Sequence, residues 1–201
     1  MDGGAGNDEP AAASPFVERP PANLLLLGPS MGDHGDAVSR LLETASGKPA
    51  LLAVSLLRPA VETVAAWETE WRSPPSGIAA VGCKNTAGTR VDGTPGTDFR
   101  ATTVADPGDL TGLGIRVGEC LEAWENRPTV VAFDSMTAVL QYADTKRVFQ
   151  FLHVLTSQLA SAGAMSVFHM DPGAHDERTV STVRSLFQGV YERSEGGWKR
   201  A

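Results

Sequence analysis

Four leucines run into Gly28-Pro-Ser-Met-Gly-Asp-His-Gly-Asp36, and the residue types there could do two kinds of chemistry. Glycines that turn backbone N–H groups inward at a helix start make a phosphate cradle. A complete cradle has a glycine, four free positions and then Gly-Lys-Ser/Thr. The lysine neutralises the outer phosphates and the hydroxyl holds magnesium. Counted without gaps from Gly28, the last three positions are Asp33, His34 and Gly35. With Gly32 as the closing glycine and one residue deleted, Asp33 and His34 replace the lysine and hydroxyl. Either way a carboxylate stands where phosphate charge would sit, and like charges repel. The helix start still offers N–H donors and a positive dipole end, although Asp33 can cap it instead. The second chemistry takes Ser30 as nucleophile, His34 as base and Asp36 as orienter. No Gly-x-Ser-x-Gly elbow supports it, and closeness in sequence is not geometry.

Further along, the apolar run TVVAFDS ends in Asp134-Ser135. Its pattern suits the second nucleotide motif, whose aspartate reaches magnesium through water. The plainer reading makes Ser135 the cap of the next helix. Together Gly28, Ser30, Gly32, Asp33, His34, Asp134 and Ser135 are the residues of a vestigial nucleotide site, with no catalytic residue among them. The stretch from His169 to Asp176, HMDPGAHD, offers two imidazoles and two carboxylates that could take zinc or another transition metal. Its spacing is not compact, and the strand, the Asp171-Pro172 turn and a helix start at His175-Asp176 explain the same residues. No metal ligands are assigned; a metal or small-ligand module at 169–176 stays as an alternative. Cys83 and Cys120 lack a Cys-x-x-Cys spacing and read as reduced core thiols. Trp67 and Trp71 share a helical face, where core or interface packing is the default. With Leu56 and Leu57 they could form an apolar patch at a subunit boundary.

These residues need elements to hold them. NLLLL (23–27), ALLAVSL (50–56), GIAAVGC (77–83), ATTVA (101–105), TVVAFDS (129–135) and MSVFHMD (165–171) have the length and apolarity of buried parallel strands. Helices are expected over 34–46, from Pro59 to about 71, and from a cap at Asp109 or Thr111 to about 126. Two more are expected over 144–161, closed by Gly163, and over 175–187. Residues 84–100 hold three glycines and a proline without periodicity and read as a long surface loop. GVYER and GWKRA flank Gly196-Gly197 as an edge hairpin. The alternation predicts a three-layer α/β domain with a mainly parallel sheet and a small antiparallel C-terminal edge. Ligands in such sheets bind beyond the carboxyl ends of the strands, where the loops at 28–36, 56–59, 83–100, 134–136 and 170–175 emerge.

The bulk numbers agree with one globular domain. The chain has 201 residues, 42% hydrophobic and 20% charged. Residues 1–22 read as a disordered acidic tail and 23–201 as the domain. No apolar run approaches the roughly 18 residues of a membrane span, and the N-terminus has no secretory h-region, so a cytoplasmic protein is expected. Net charge is −7 with no basic stripe, which argues against a direct grip on nucleic acid. Thirteen arginines against four lysines suggest a GC-rich genome, and the acidic balance suggests a salt-adapted microbe.

In their order and spacing the motifs resemble RecA-like ATPases, in particular the KaiC-like and archaellum-associated branch. The resemblance covers about residues 23–195. It rests on LLLLGPSMG, ALLAVSL, VVAFDSMTAVLQY with the FQFLHVLTSQLASAGA helix, and SVFHMDPGAHDERTVSTVRSLFQGVYE. Within that branch the chain is most similar to a haloarchaeal family with eroded nucleotide motifs. The resemblance implies paired glutamates just after the second strand, to activate water; Leu56-Leu57-Arg58 stands there instead. With the lysine and hydroxyl also missing, a non-hydrolysing pseudo-ATPase is expected, acting through a protein partner or self-association in signal transduction or regulation. No cofactor is expected. The alternative is an ATP-binding switch or weak ATPase, with ATP and magnesium held by loop 28–35 and Asp134.

Overall fold

The computed structural model describes residue 16 and residues 19–30, 34–45, 47–83 and 98–201. The strands are β1 (Ala22–Leu27), β2 (Ala50–Ser55), β3 (Gly77–Cys83), β4 (Asp98–Val104), β5 (Thr129–Asp134), β6 (Met165–Met170), β7 (Gly189–Ser194) and β8 (Gly197–Arg200). They form one eight-stranded sheet in the order β4-β3-β2-β5-β6-β1-β7-β8. Every neighbouring pair is parallel except the β7–β8 hairpin. The helices are α1 (Gly35–Thr44), α2 (Ala60–Glu68), α3 (Leu110–Ala123), α4 (Met136–Tyr142), α5 (Thr145–Ser161) and α6 (Glu177–Arg184).

Strand alternation divides the core between two faces. Leu25 and Leu27, Leu52 and Val54, Val131 and Phe133, and Phe168 and Met170 pack with α3 to α6. Their neighbours Leu24 and Leu26, Leu51 and Ala53, Val130 and Ala132, and Met165 and Val167 pack with α1 and α2. Helix α5 shows why such segments fold: Val148, Leu152, Leu155 and Leu159 recur on one face and are all buried. Asp144 caps its first turn on the Arg147 N–H at 3.0 Å, and Gly163 leaves it at φ +71.

Several boundaries differ from the sequence reading. Strand β4 begins at Asp98 rather than 101 and pairs Gly77 with Asp98 at its start. It is an edge strand, where the exposed Arg100 is tolerated. The rest of the expected loop, residues 84–97, lies outside the described residues. Helix α4 is an addition to the expected elements; Met136 to Val139 are four consecutive buried residues, which leaves no helical period to detect. Helix α6 is shorter than 175–187, because Pro172–Ala174 form a separate 3-10 turn and Asp176 caps the helix after it. Leu56 and Trp67 are buried core residues and form no surface patch; Leu57 alone of the three is exposed. Phe16, within the expected tail, is buried edge-on against Tyr191. Residues 1–15, 17 and 18 lie outside the described residues.

Candidate functional site at the strand ends

The same alternation that builds the core selects the site. Asp134 shares its parity with Val130 and Ala132, and His169 with Met165 and Val167. Both therefore face the α1/α2 side at the carboxyl ends of β5 and β6. The strands pair Phe133 with Phe168, which sets Asp134 and His169 side by side, and Leu26 of β1 lies opposite His169. His34, the residue that opens α1, then lays its ring on that of His169, with centroids 3.6 Å apart and planes 31° apart. His34 and His169 are only 5% and 3% exposed.

Each polar group in the cluster has a defined position. His169 Nε2 stands 2.9 Å from the Gly28 carbonyl oxygen. A carbonyl only accepts, so Nε2 carries the hydrogen. The other ring nitrogen, Nδ1, faces Asp134 Oδ1 at 3.5 Å. Asp134 Oδ2 accepts from Arg58 Nη2 at 2.8 Å, so Arg58 from the loop after β2 bridges to the end of β5. Burial pushes the Asp134 carboxyl up, but the Arg58 guanidinium bonded to Oδ2 pulls it the other way, and the carboxyl lies below its usual range. A cavity of about 10 Å³ lies among these groups, walled by Leu26, Val38, Trp67 and Val167. His34, Asp134 and His169 each point a metal-ligating atom to within 4.8 Å of the others.

Around this cluster a second set of contacts fixes the loop after β1. The Ser30 N–H and hydroxyl both donate to Asp171 Oδ2, at 2.8 and 2.9 Å. The Asp171 N–H donates to the Thr137 hydroxyl at 2.9 Å. Asp36 accepts from Arg193 at 2.7 Å and from the Trp198 indole at 3.2 Å. Trp198 lies over Gly28, where an added Cβ would come within 3.2 Å of its ring and 3.3 Å of Arg193 Cβ.

A family model matches residues 21–192. The chain belongs to DUF7504, a family of unknown function. No curated protein matches its sequence. Among solved structures this DUF7504 chain is similar to a protein from Pyrococcus horikoshii OT3. That match has a TM-score of 0.60 and 8% identity, over 92% of this chain and 87% of that one. It is also similar to a prototypical ATPase from the type III secretion system of pathogenic bacteria, with a TM-score of 0.55 and 13% identity. That match covers 87% of this chain and 51% of the ATPase, so the DUF7504 chain spans about half its length. At these identities the likeness is one of fold: a three-layer, P-loop ATPase-like α/β domain with a mainly parallel sheet. Among the described residues, no helix is long and apolar enough to cross a membrane.

The residues expected from the sequence have separate fates. Gly28, His34 and Asp134 come together. Ser30 lies beside them through Asp171, and Ser135 caps α4 by accepting from the Ala138 N–H at 3.4 Å. Gly32 and Asp33 lie outside the described residues, as does any cap that Asp33 makes. Ser30, His34 and Asp36 bond to Asp171, stack on His169 and pair with Arg193 respectively, and so form no nucleophilic relay. The sequence groups His169 with His175 and Asp176, whereas the fold groups it with His34 and Asp134. Asp176 caps α6, and burial lowers the His175 imidazole below its ordinary value, which favours a neutral ring. Burial raises the Cys83 and Cys120 thiols, so both are protonated at neutral pH and neither is an activated nucleophile. Arg58 and Thr137 join the site without a sequence signal of their own; Arg58 is visible there only as a departure from paired glutamates.

Proposed function

We propose that this chain is a KaiC-like pseudo-ATPase that does not hydrolyse nucleotide and acts in the cytoplasm through contacts with protein, in regulation or signal transduction. The observation that carries the reading is the Arg58–Asp134 pair at 2.8 Å. In a hydrolytic site of this fold the aspartate after the strand serves magnesium, and phosphoryl transfer depends on that metal and on charge neutralisation. Here a cation of the chain itself holds that carboxylate. The residues present do not fit a nucleoside triphosphate with its magnesium. The space a Cβ would need at Gly28 is closed by Trp198, and two stacked imidazoles cover the strand ends beside Asp134. The contact role draws support from the groove between α3 and α5. It encloses about 720 Å³, and Ile115 and Val154 beside it are 54% and 66% exposed. Exposed apolar side chains gathered on one groove are a common mark of a protein-binding surface.

The test is calorimetric titration of the full chain with ATP and magnesium at concentrations that detect a dissociation constant of about 1 mM. The expected result is no heat and an unmoved thermal midpoint. Saturable binding that raises the midpoint would overturn the reading and favour a nucleotide switch.

A further inference from the structure

We infer that His34, Asp134 and His169 form a binding site for a single divalent transition-metal ion of the zinc class. The decisive group is His169. Its Nε2 hydrogen is committed to the Gly28 carbonyl, which leaves Nδ1 of the neutral ring a bare lone pair. Nδ1 is buried and has no hydrogen-bond partner, yet it faces a carboxylate oxygen 3.5 Å away. Two acceptors face one another in a narrow pocket walled by Leu26, Val38 and Trp67, an arrangement that calls for a cation between them. A proton is the smaller choice, but a charge-assisted N–H···O contact closes to about 2.7–2.9 Å. A metal ion is the better fit: donors about 2.1 Å from one tetrahedral ion stand about 3.4 Å apart.

The surroundings agree. Metal-bound imidazoles donate their second N–H to a carbonyl or carboxylate, and ligating carboxylates are themselves hydrogen-bonded. His169 donates to the Gly28 carbonyl, and Asp134 uses Oδ2 for Arg58 while Oδ1 faces the cluster. His34 supplies the third donor, within 4.8 Å of the other two, and its ring turns out of the stack to aim that nitrogen at the ion. The cavity of about 10 Å³ is near the volume of one water-sized sphere, so it admits an ion and excludes a larger ligand. Two imidazoles select zinc, cobalt, nickel or iron over magnesium, which prefers oxygen ligands and keeps its water. The site is thus chemically different from a magnesium–nucleotide site. Three protein donors leave the fourth position of a tetrahedral ion to a water, and the ion joins β5, β6 and the start of α1.

The untagged full chain, stripped with a chelator, is titrated with Co²⁺ while visible absorption is followed, and then with Zn²⁺. The expected result is one equivalent of Co²⁺ with the intense bands of a four-coordinate ion, displaced by one equivalent of Zn²⁺, and a raised thermal midpoint. His34→Gln, His169→Gln and Asp134→Asn should each weaken binding by more than the roughly 10–100-fold that an outer-shell partner is worth. His175→Gln should leave binding unchanged. If the wild-type chain shows neither bands nor a shifted midpoint, the inference is wrong, whether or not any variant folds. Binding that survives His34→Gln and His169→Gln but is lost in His175→Gln would move the metal to the 169–176 loop and overturn it equally. The nucleotide titration is independent of both results.

Discussion

Asp171 fastens the loop after β1 to the end of β6. Burial pushes its carboxyl up, but hydrogen bonds from Ser30 and from the Gly173 N–H outweigh this and hold it below the usual range. A carboxyl depressed in the folded chain adds stability above its unfolded value of about 3.9, and loses it as pH falls through the folded value. The urea midpoint of the wild-type chain should therefore fall more steeply below about pH 4 than that of Asp171→Asn, the two converging in acid. Parallel curves would show that the Ser30 contact carries no stability. Asn23 makes a related tie in the core: it donates to the Thr156 carbonyl at 3.1 Å and accepts from the Ser166 hydroxyl at 2.6 Å. Asn23→Ala should cost about 1–3 kcal/mol by denaturant unfolding, because buried partners are left unmatched. Neither tie was legible in the sequence, since the bonds from Ser30 and Asn23 span 141 and 143 residues. Asp134 and His34 were legible as chemistry because each closes a recognisable strand or turn. That His169 belongs with them was not, because parity gives the face of a strand and only register gives its neighbour.

At the scale of elements, local signals worked where a cap or a period existed. Asp109 and Thr111 are equal candidates in the sequence to cap α3; the fold chooses Asp109, which accepts from the Gly112 N–H at 2.9 Å. Asp109→Ala should lower stability by about 1 kcal/mol in chemical denaturation, and Thr111→Ala by much less. Gly112→Ala should gain less than the roughly 1 kcal/mol that alanine usually adds over glycine within a helix, because its methyl would crowd the capping carboxylate. If Thr111→Ala proves the costlier change, the cap has been assigned to the wrong residue. The strands of the central sheet were legible as apolar runs because both faces are buried. Edge strand β4 was not, since its first residues mix Asp, Phe and Arg and owe their conformation to pairing with β3. Helix α4 was hidden for the opposite reason, with too many buried neighbours and too short a length to show an apolar stripe.

The whole molecule adds properties that no element has. Alternating strands and helices predicted a parallel sheet, but the insertion of β5 and β6 between β2 and β1 is a matter of chain crossing, and it assembles the site. Net charge is likewise collective. At −7 the folded chain repels itself, and added salt screens that repulsion. Salt also screens surface pairs such as Arg193–Asp36 at 2.7 Å and Arg116–Glu119 at 2.8 Å, which act in the other direction. Exposed pairs are worth about 0–1 kcal/mol each and act within a few ångströms. Self-repulsion sums over every like-charged pair within a Debye length, which falls from about 30 Å at 0.01 M to about 3 Å at 1 M. The long-range term therefore dominates at low salt, and the thermal midpoint should rise as sodium chloride increases from about 0.01 M to 1 M, steeply at first and then more slowly. Potassium chloride should act alike, because screening depends on ionic strength and not on the identity of the cation. A midpoint that falls over this range would mean that the short ion pairs outweigh the net charge, and the salt-adapted reading of the acidic composition would fall with it.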